Sequence, residues 1–323
     1  MKKTFILIWI TLLLLSSTTG CNKDEIVKNG QADLNDAYEK LRVGVVLKAL
    51  DSEHWQTMKK GADKAAKDLG VDVIVLAPDK EANVDMQFRI IEDLILHQLD
   101  AICIAPCDSA NVTPIIKEAN TKDIPVFTID TNADTEVISF IGTNNYLAGK
   151  MAGERMLDIL DGKGSIVLIT GVLEQQTHRD RCLGFKEVLE GSEIKIIEQR
   201  QANSETELAM KVMNQLIKEH NNIDAVFVTN ALMGLGVLEA INDNGKTDEI
   251  KVIGFDIQQE LLESIKNGSV DSVIAQNPYS MGYDTVKAAV TYLRGGSVES
   301  YIDTGTELVT NQNVNKYIEL FGY

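Results

Sequence analysis

Short apolar runs alternate with amphipathic segments along most of this chain. Eight runs rich in Val, Ile and Ala begin near Val43, Val71, Ala101, Ile124, Ile166, Ile194, Ala225 and Val252. Within each half they recur roughly every thirty residues, the length of a β-strand and its crossover helix. The runs lack the polar alternation of a half-exposed strand, which is typical of parallel sheets covered on both faces. We therefore predict two similar arrays of alternating strands and helices.

The segments between the runs have the periodicity of helices. Apolar residues on one face of the first segment are Trp55, Met58, Ala62, Ala65 and Leu69. Gly70 predicts the end of that helix, because glycine readily adopts the left-handed conformation that follows many helices. The second segment repeats the pattern with Val84, Phe88, Ile91 and Ile95. The predicted fold class is therefore α/β, with two doubly wound parallel-sheet lobes.

A hydrogen-bonding residue stands at the end of five of the apolar runs. These residues are Lys48, Asp130, Asn230, Asp256 and Gln276. In an open parallel sheet the ligand crevice lies beyond the carboxyl ends of the strands, so these side chains are expected to converge. The first two belong to the first array and the other three to the second. We therefore predict a ligand held by both lobes, which close around it by a hinge motion.

The chemistry of these strand ends suits a small polyhydroxylated molecule. Carboxylates, amides and a cation can exchange hydrogen bonds with vicinal hydroxyls, while aromatic rings cover apolar C–H faces. His54 and Trp55, just after the first strand, are candidates for the second task. Trp55 fits core packing at the start of its helix equally well. The Asp and Asn residues, each placed to open a helix, are also compatible with N-capping.

Composition and charge exclude several other classes of function. The 323 residues, 44% of them hydrophobic, suffice for two domains, and the net charge of -17 argues against nucleic-acid binding. GKGS at 162–165 lacks the first glycine of a phosphate-binding loop, and MGLG at 233–236 lacks the last glycine of a dinucleotide fingerprint. The scattered histidines form no metal pair. We expect no cofactor, no metal and no catalytic residue.

The N-terminus has the pattern of an export signal. Lys2 and Lys3 precede the apolar stretch FILIWITLLLL, and SSTTGC follows it. Residues 1–20 therefore resemble a bacterial lipoprotein signal peptide, with Cys21 as the lipid-bearing first residue of the mature chain. Residues 21–41 are then a flexible tether, and the protein is expected at the outer face of the cytoplasmic membrane. A signal anchor that is never cleaved is the alternative.

The remaining cysteines, Cys103, Cys107 and Cys182, suggest no disulfide framework. The spacing of Cys103 and Cys107 fits neither a zinc knuckle nor a redox pair. Cys103 lies within an apolar run and is most simply a small buried hydrophobe. A bridge between Cys103 and Cys107 stays open at this stage.

Several segments carry a resemblance to one family. They are VVLKALDSEHWQTMKKG, IAPCDS, IPVFTID, FIGTNNYLAGKMAGE, THRDRCLGF, AVFVTNALMGLG, VIGFD and VIAQNP. From about Val43 to Asn311 the chain resembles a periplasmic sugar-binding protein of the ribose type, and the first segment is most similar to the allose-binding branch. The resemblance implies a monomeric receptor that captures a monosaccharide and delivers it to an ABC permease with its cytoplasmic ATPase.

The same resemblance implies the residues that contact the sugar. They are Lys48, Ser52, His54, Trp55, Asp130, Arg181, Asn230, Asp256 and Gln276. Arg181 enters through the resemblance, and from the residues alone a surface ion pair with Asp180, or with a Glu one turn on, would be preferred. The chain departs from ribose binders at Thr131, at Ala231 and near Asn203 or Ser204, where those carry Arg, often Asp, and often an aromatic. These departures point to another pentose, a hexose, a ketose or a polyol.

The family topology also implies where the lobes begin and end. The chain is expected to cross between them near Thr143, Asn277 and Thr304. The N-terminal lobe then comprises residues 42–143 and 277–304, and the C-terminal lobe residues 144–276 and 305–323. A hinge of three segments permits bending and resists twisting.

Two other functions fit parts of the pattern. Asp130 and Asp256 could be the opposed carboxylates of a glycosidase, although we expect no enzyme. A sensor that presents its sugar-bound form to a membrane histidine kinase or chemoreceptor would use the same two lobes. Neighbouring genes would separate a sensor from a transport receptor.

Overall fold

A computed structural model describes residues 40–321 of this chain. The predicted signal peptide, Cys21 and the tether up to residue 39 lie outside the described residues. Residues from Leu41 onward form one compact unit. Among the described helices, none is both long and apolar enough to cross a membrane.

Strands and helices alternate along the described part of the chain. The strands are β1 Arg42–Val46, β2 Asp72–Leu76, β3 Ala101–Ile104, β4 Val126–Ile129, β5 Phe140–Gly142, β6 Lys163–Thr170, β7 Glu193–Gln201, β8 Ala225–Val228, β9 Lys251–Phe255, β10 Ser272–Gln276, β11 Tyr301–Asp303 and β12 Thr306–Thr310. The helices are α1 Glu53–Leu69, α2 Val84–Leu96, α3 Thr113–Thr121, α4 Asn145–Ile159, α5 Gln176–Leu189, α6 Thr206–Glu219, α7 Ala231–Asp243, α8 Gln259–Asn267, α9 Pro278–Leu293 and α10 Val314–Phe321.

The strands form two six-stranded sheets. The first sheet has the order β11-β5-β4-β3-β1-β2, and all its pairs are parallel. The second has the order β12-β10-β9-β8-β6-β7, and β12 alone pairs antiparallel among the described strands. The chain passes between the sheets after β5, after β10 and between β11 and β12. The prediction of two doubly wound α/β lobes is confirmed.

Apolar side chains fill both faces of each sheet. Strands β3, β4 and β8 are buried along their whole length, as expected for strands covered by helices on both sides. The run near Val71 differs, since β2 is an edge strand and leaves Ile74 43% and Leu76 37% exposed. An apolar run therefore identified the strand but not its position at the edge.

Helices pack closely where glycines face a neighbouring backbone. Helix α1 ends as predicted at Gly70, which has a φ of 68°. Helix α1 also packs against α9. A Cβ built on Gly282 of α9 would lie 1.9 Å from the carbonyl oxygen of Met58 in α1. The two helices therefore approach more closely than any residue with a side chain would allow.

The three cysteines of the described region are buried and free. No bridge joins Cys103 to Cys107, so the pairing left open by the sequence does not form. Burial raises the pKa of each thiol, that of Cys182 to about 11, which leaves all three protonated and unreactive.

Candidate functional site

All nine predicted ligand residues line one cavity between the carboxyl ends of the two sheets. They are Lys48, Ser52, His54, Trp55, Asp130, Arg181, Asn230, Asp256 and Gln276. Each is at least nine-tenths buried. The cavity measures about 20 Å³, which is room for a single water molecule. A ligand with several hydroxyls can therefore enter only when the lobes separate.

Asp130 and Asp256 occupy equivalent positions, each directly after a strand. Asp130 follows β4 with a φ of 64°, and Asp256 follows β9 with a φ of 68°. This left-handed conformation is uncommon for residues other than glycine, although Asp tolerates it better than most. Such strain clusters at functional sites. Here it belongs to two carboxylates that line the cavity.

The N-capping alternative holds for only one of the strand ends. The side chain of Asn230 accepts a hydrogen bond from the backbone N–H of Met233 and caps α7. Asp130 is followed by a loop to β5 instead of a helix, so the expectation that it opens a helix is wrong. Asp256 lies two residues before the N-cap of α8, which is Gln258. Its carboxylate is therefore free to serve the cavity.

Lys48 joins the two sides of the cavity. Its ammonium group lies 3.1 Å from Oδ2 of Asp130 and donates to Oγ1 of Thr131 at 2.9 Å. A third bond, of 2.7 Å, runs to Oε1 of Gln175, which precedes α5 in the C-terminal lobe. The three ammonium protons are thereby engaged within the protein. Lys48 positions Asp130 and holds the lobes together at the same time.

His54 lies between the two cavity aspartates. Its Nε2 is 3.0 Å from Oδ1 of Asp130, and its Nδ1 is 3.6 Å from Oδ1 of Asp256. Burial by itself lowers the pKa of His54, but Asp256 and Asp130 outweigh it and raise that pKa above its ordinary value of 6.5. The two carboxylates, one from each lobe, therefore favour the protonated form of the imidazole that lies between them.

The same contacts keep Asp130 ionised. Burial would raise the pKa of Asp130, but Lys48 and the hydrogen bond from His54 hold it far below its ordinary value of 3.8. A glycosidase needs a carboxylic acid of raised pKa to protonate the leaving group. Asp130 cannot fill that role.

Trp55 fits both alternatives left open by the sequence, core packing and a place at the ligand cavity. It is 2% exposed and packs in the core of the first sheet, yet its ring also lines the cavity. Its indole Nε1 donates to Oε1 of Glu81 at 3.0 Å, and the ring of His54 meets it edge-on. Core packing thus fixes an aromatic ring at the cavity wall.

Arg181 is buried, and the surface ion pair with Asp180 does not form. Its guanidinium donates to Oδ1 of Asn145 at 2.8 Å and to the carbonyl oxygen of Thr229 at 2.7 Å. Its face lies 3.6 Å from the ring centre of Phe255. The fork is thus fixed by neutral partners and an aromatic surface, which leaves a charge directed at the cavity.

On the opposite side, Asp256 is oriented by its neighbour strand. Gln276, the last residue of β10, donates from Nε2 to Oδ1 of Asp256 at 2.6 Å. The other atom of that amide, Oε1, is buried without a hydrogen-bond partner. Ser52 stands before α1 and makes no side-chain capping bond, so its hydroxyl is also available to the cavity.

Sequence reasoning missed several residues of this cavity. They are Glu81, Thr177 and His178, which line it, and Gln175, which holds Lys48. None of them stands at a strand end, so the pattern that identified Lys48, Asp130, Asn230, Asp256 and Gln276 gave no sign of them. Burial, with Arg181 and Lys48 nearby, holds the pKa of His178 well below 6.5, and the imidazole is neutral at pH 7.

His178 lies beside Ser204 in the C-terminal lobe. Its Nδ1 is 2.9 Å from Oγ1 of Thr229, and its Nε2 is 3.4 Å from Oγ of Ser204. A Cβ on Gly171 would lie 2.2 Å from that Nε2, so the glycine makes room for the imidazole. The C-terminal lobe thus offers an imidazole ring beside a serine.

Direct hydrogen bonds close one rim of the cavity. The backbone N–H of Ser109 donates to the carbonyl oxygen of Glu174 at 3.1 Å, and its hydroxyl accepts from the N–H of Gln176 at 2.9 Å. Oε1 of Gln176 accepts in turn from the N–H of Asn132 at 3.2 Å. These bonds join the start of α5, and the loop before it, to loops that follow β3 and β4. We name them the rim contacts.

Comparison with known proteins places this cavity in context. The sequence model of a family described as "Periplasmic binding protein domain" matches residues 43–297. The ribose import binding protein of Bacillus subtilis is 32% identical over 271 residues, which cover 84% of this chain and 87% of that protein.

Solved structures agree with these sequence matches. A carbohydrate transporter solute-binding protein from Agrobacterium radiobacter, in complex with D-arabinose, has a TM-score of 0.84 and 31% identity, and the match covers 88% of this chain and 99% of the other. An ABC transporter solute-binding protein from Agrobacterium vitis, with bound D-fucose, has a TM-score of 0.83 and 28% identity over 85% and 97% of the two chains.

Proposed function

This chain belongs to the periplasmic binding protein domain family, and from that membership we propose that it captures a monosaccharide between its two lobes and delivers it to an ABC permease. The observation that carries the proposal is the convergence of charged and amide side chains from both sheets on one cavity. Its relatives are solute-binding proteins and not enzymes.

The cavity offers the chemistry that a sugar requires. Asp130 and Asp256 accept hydrogen bonds from hydroxyls, and Arg181 donates through a planar fork. Trp55 supplies an apolar face for ring C–H groups. These groups are buried, and a hydroxyl that is absent or misplaced would leave one of them unpaired, which makes the site selective.

Ligand capture would depend on closure. The contacts of Lys48 with Gln175 and of His54 with Asp256 connect the two lobes within the cavity. Bending at the crossings near Thr143, Asn277 and Thr304 would separate them and admit the sugar. Contacts from both lobes to one sugar then exist only in the closed form, so the sugar favours that form.

The sugar would be read where the chain departs from ribose binders. Thr131 donates to Oδ2 of Asp130 and accepts from Lys48. Thr131 is neutral, whereas the resemblance implies an arginine at this position in ribose binders. We propose a pentose or hexose whose stereochemistry is matched to Thr131, Ala231 and Ser204.

The receptor would be held at the outer face of the cytoplasmic membrane. Cys21 follows a signal-like segment and precedes the tether, so a lipid on this residue would leave the folded unit free to meet a permease. The lipid would keep the receptor at the membrane surface, close to its permease.

The proposal is tested by a thermal-shift screen with D-ribose, D-arabinose, D-allose and D-fucose. A sugar that binds only the folded protein raises the melting temperature, by about 5 °C at roughly 100 times its Kd. Asp256→Ala should abolish that shift, because it removes a buried acceptor of the cavity.

The matched control is Asp248→Ala, which removes an exposed carboxylate of the same lobe and should preserve the shift. If no monosaccharide stabilises the protein while a solute of another class does, the proposed ligand is wrong. An unchanged shift in Asp256→Ala would show that the sugar binds elsewhere.

A further inference from the structure

Glu81 is a buried carboxylate of the cavity that lies at no strand end. It stands in the loop between β2 and α2, is 7% exposed and lines the cavity beside Lys48 and Trp55. We infer that Glu81 is a further sugar-binding residue, which accepts a hydrogen bond from one ligand hydroxyl. The inference rests on the proposed function and names a contact within the same site.

The orientation of Glu81 is set by Trp55. The indole N–H can only donate, and it donates to Oε1 of Glu81 at 3.0 Å. Because Trp55 is itself packed in the core of the first sheet, this bond gives the carboxylate a rigid support. One oxygen is thus fixed, and the position of the other follows from it.

The second oxygen, Oε2, is buried and has no hydrogen-bond partner. The ammonium group of Lys48 lies 4.0 Å away, beyond hydrogen-bonding distance, and its protons are directed to Asp130, Thr131 and Gln175. A buried acceptor without a donor is costly, and native proteins rarely leave one. The missing donor is the hydroxyl that we assign to the ligand.

A second unpartnered acceptor, Oε1 of Gln276, is buried in the same cavity. Both atoms call for a ligand that donates hydrogen bonds. An ionised phosphate or carboxylate group only accepts hydrogen bonds and could not satisfy these two oxygens, so the ligand class is a neutral sugar and not a sugar phosphate or sugar acid.

Closure would bring Glu81 to the sugar. The preceding residue, Lys80, forms a 2.8 Å ion pair with Glu205, which stands before α6 in the C-terminal lobe. The loop that carries Glu81 is therefore held from across the cavity. Glu81 would complete the sugar contacts as the lobes come together.

The test begins with Glu81→Gln in the full-length chain. The amide keeps the size of the side chain and an oxygen for Trp55, but it replaces the acceptor Oε2 with a donor. Titration calorimetry with D-ribose, D-arabinose, D-allose and D-fucose should show a loss of affinity of about 10- to 100-fold for the sugar that binds best.

Asp79→Asn is the matched control, because it neutralises an exposed carboxylate of the same loop. Its affinity should stay within about twofold of wild type, because Asp79 is exposed, does not line the cavity and is screened by solvent and salt. Both variants are also compared with wild type by thermal unfolding without sugar. A melting temperature close to that of wild type shows that any loss of affinity is local.

Deoxy sugars distinguish direct sugar binding by Glu81 from a purely structural role in holding Trp55. The best-binding sugar is compared with each of its monodeoxy forms, in wild type and in Glu81→Gln. One deoxy form should bind wild type about 10-fold more weakly than the parent sugar, and that difference should disappear in the variant. Equal differences at every position in both proteins would overturn the inference.

The outcomes also separate this inference from the proposed function. If wild type binds a sugar and Asp256→Ala does not, while Glu81→Gln binds like wild type, the function stands and the role of Glu81 is wrong. If no monosaccharide stabilises wild type while a solute of another class does, both the proposed ligand and the role of Glu81 are wrong. Binding of a sugar phosphate in preference to the neutral sugar would contradict the ligand class.

Discussion

Single residues of the cavity are held by partners that stand far away in the chain. Lys48 and Gln175, separated by 127 positions, form a bond of 2.7 Å. The two cavity histidines have opposite electrostatic surroundings, since aspartates raise the pKa of His54 while burial, Arg181 and Lys48 lower that of His178. Their contributions to stability therefore depend on pH with opposite signs.

His178 gives a prediction for acid stability. Below pH 6.5, the ordinary pKa of histidine, His178 gains a proton in the unfolded protein but stays neutral in the folded protein. The folded state therefore loses stability as the pH falls. His178→Gln removes this loss. When the pH is lowered from 7.5 to 5.5, the free energy of unfolding should therefore fall by about 1 kcal/mol less in the variant than in wild type. Melting temperatures at the two pH values measure the difference.

His97→Gln, which removes an exposed imidazole, is the control and should behave as wild type. His54 acts in the other direction: its stabilisation is present below pH 6.5 and is lost as the pH rises through its raised pKa. Parallel pH profiles for wild type and His178→Gln would contradict a neutral, buried His178.

At the scale of elements, close contact between helices depends on glycines. Helices α1 and α9 meet where Gly282 faces the carbonyl oxygen of Met58 and Gly61 faces that of Tyr279. Helices α4 and α5 repeat the arrangement through Gly184, which faces the carbonyl oxygen of Tyr146. The periodicity of these helices predicted their apolar faces, but the glycines decide how closely they approach.

Gly282→Ala should therefore destabilise the protein strongly. The new Cβ would lie 1.9 Å from a backbone oxygen, so the helices must move apart and core contacts weaken. We expect a loss of about 3 kcal/mol, seen as a lower melting temperature in scanning calorimetry.

Gly234→Ala tests whether the effect comes from backbone contact. This helical glycine meets only the side chain of Leu261 at 3.3 Å and then more distant side-chain atoms, which can shift. The change should cost less than about 1 kcal/mol, since alanine also favours the helix. Equal losses in the two variants would argue against close helix approach as the cause.

The whole molecule combines two similar lobes with a predicted anchor. The sheets are joined by three crossings, and the rim contacts and the bonds of Lys48 hold them together. Such direct contacts compete with opening, so they set how readily the cavity admits a sugar. The anchor would act independently of this equilibrium, because the tether predicted over residues 21–41 would separate it from the lobes.

Cys21→Ser should release the protein from the membrane fraction and leave its sugar affinity unchanged, because the substitution removes the thiol to which a lipid would attach. Fractionation of cells followed by immunoblotting measures the distribution. Cys182→Ala, which changes a buried cysteine of α5, is the control and should stay with the membrane. Continued attachment of Cys21→Ser would favour the uncleaved signal anchor.

The sequence by itself determined the fold class and the positions at which polar groups meet the cavity. Local periodicity predicts the strands and helices, and a residue that directly follows a strand must lie at the end of a sheet. Asp130 and Asp256 could be identified for this reason. Ser52 and Arg181 came from the family resemblance, because no local pattern distinguishes them from surface residues.

Only the tertiary structure decided which side chains meet one another. Glu81 faces the cavity because Trp55 donates a hydrogen bond that orients its carboxylate. His178 fits there because Gly171 has no side chain to occupy the same space. Neither relation is visible in the sequence pattern. The same holds for Lys48, whose ammonium group is used within the protein. Periodicity reports which way a residue faces along its own element, whereas hydrogen bonding and burial depend on distances between elements that the fold alone brings together.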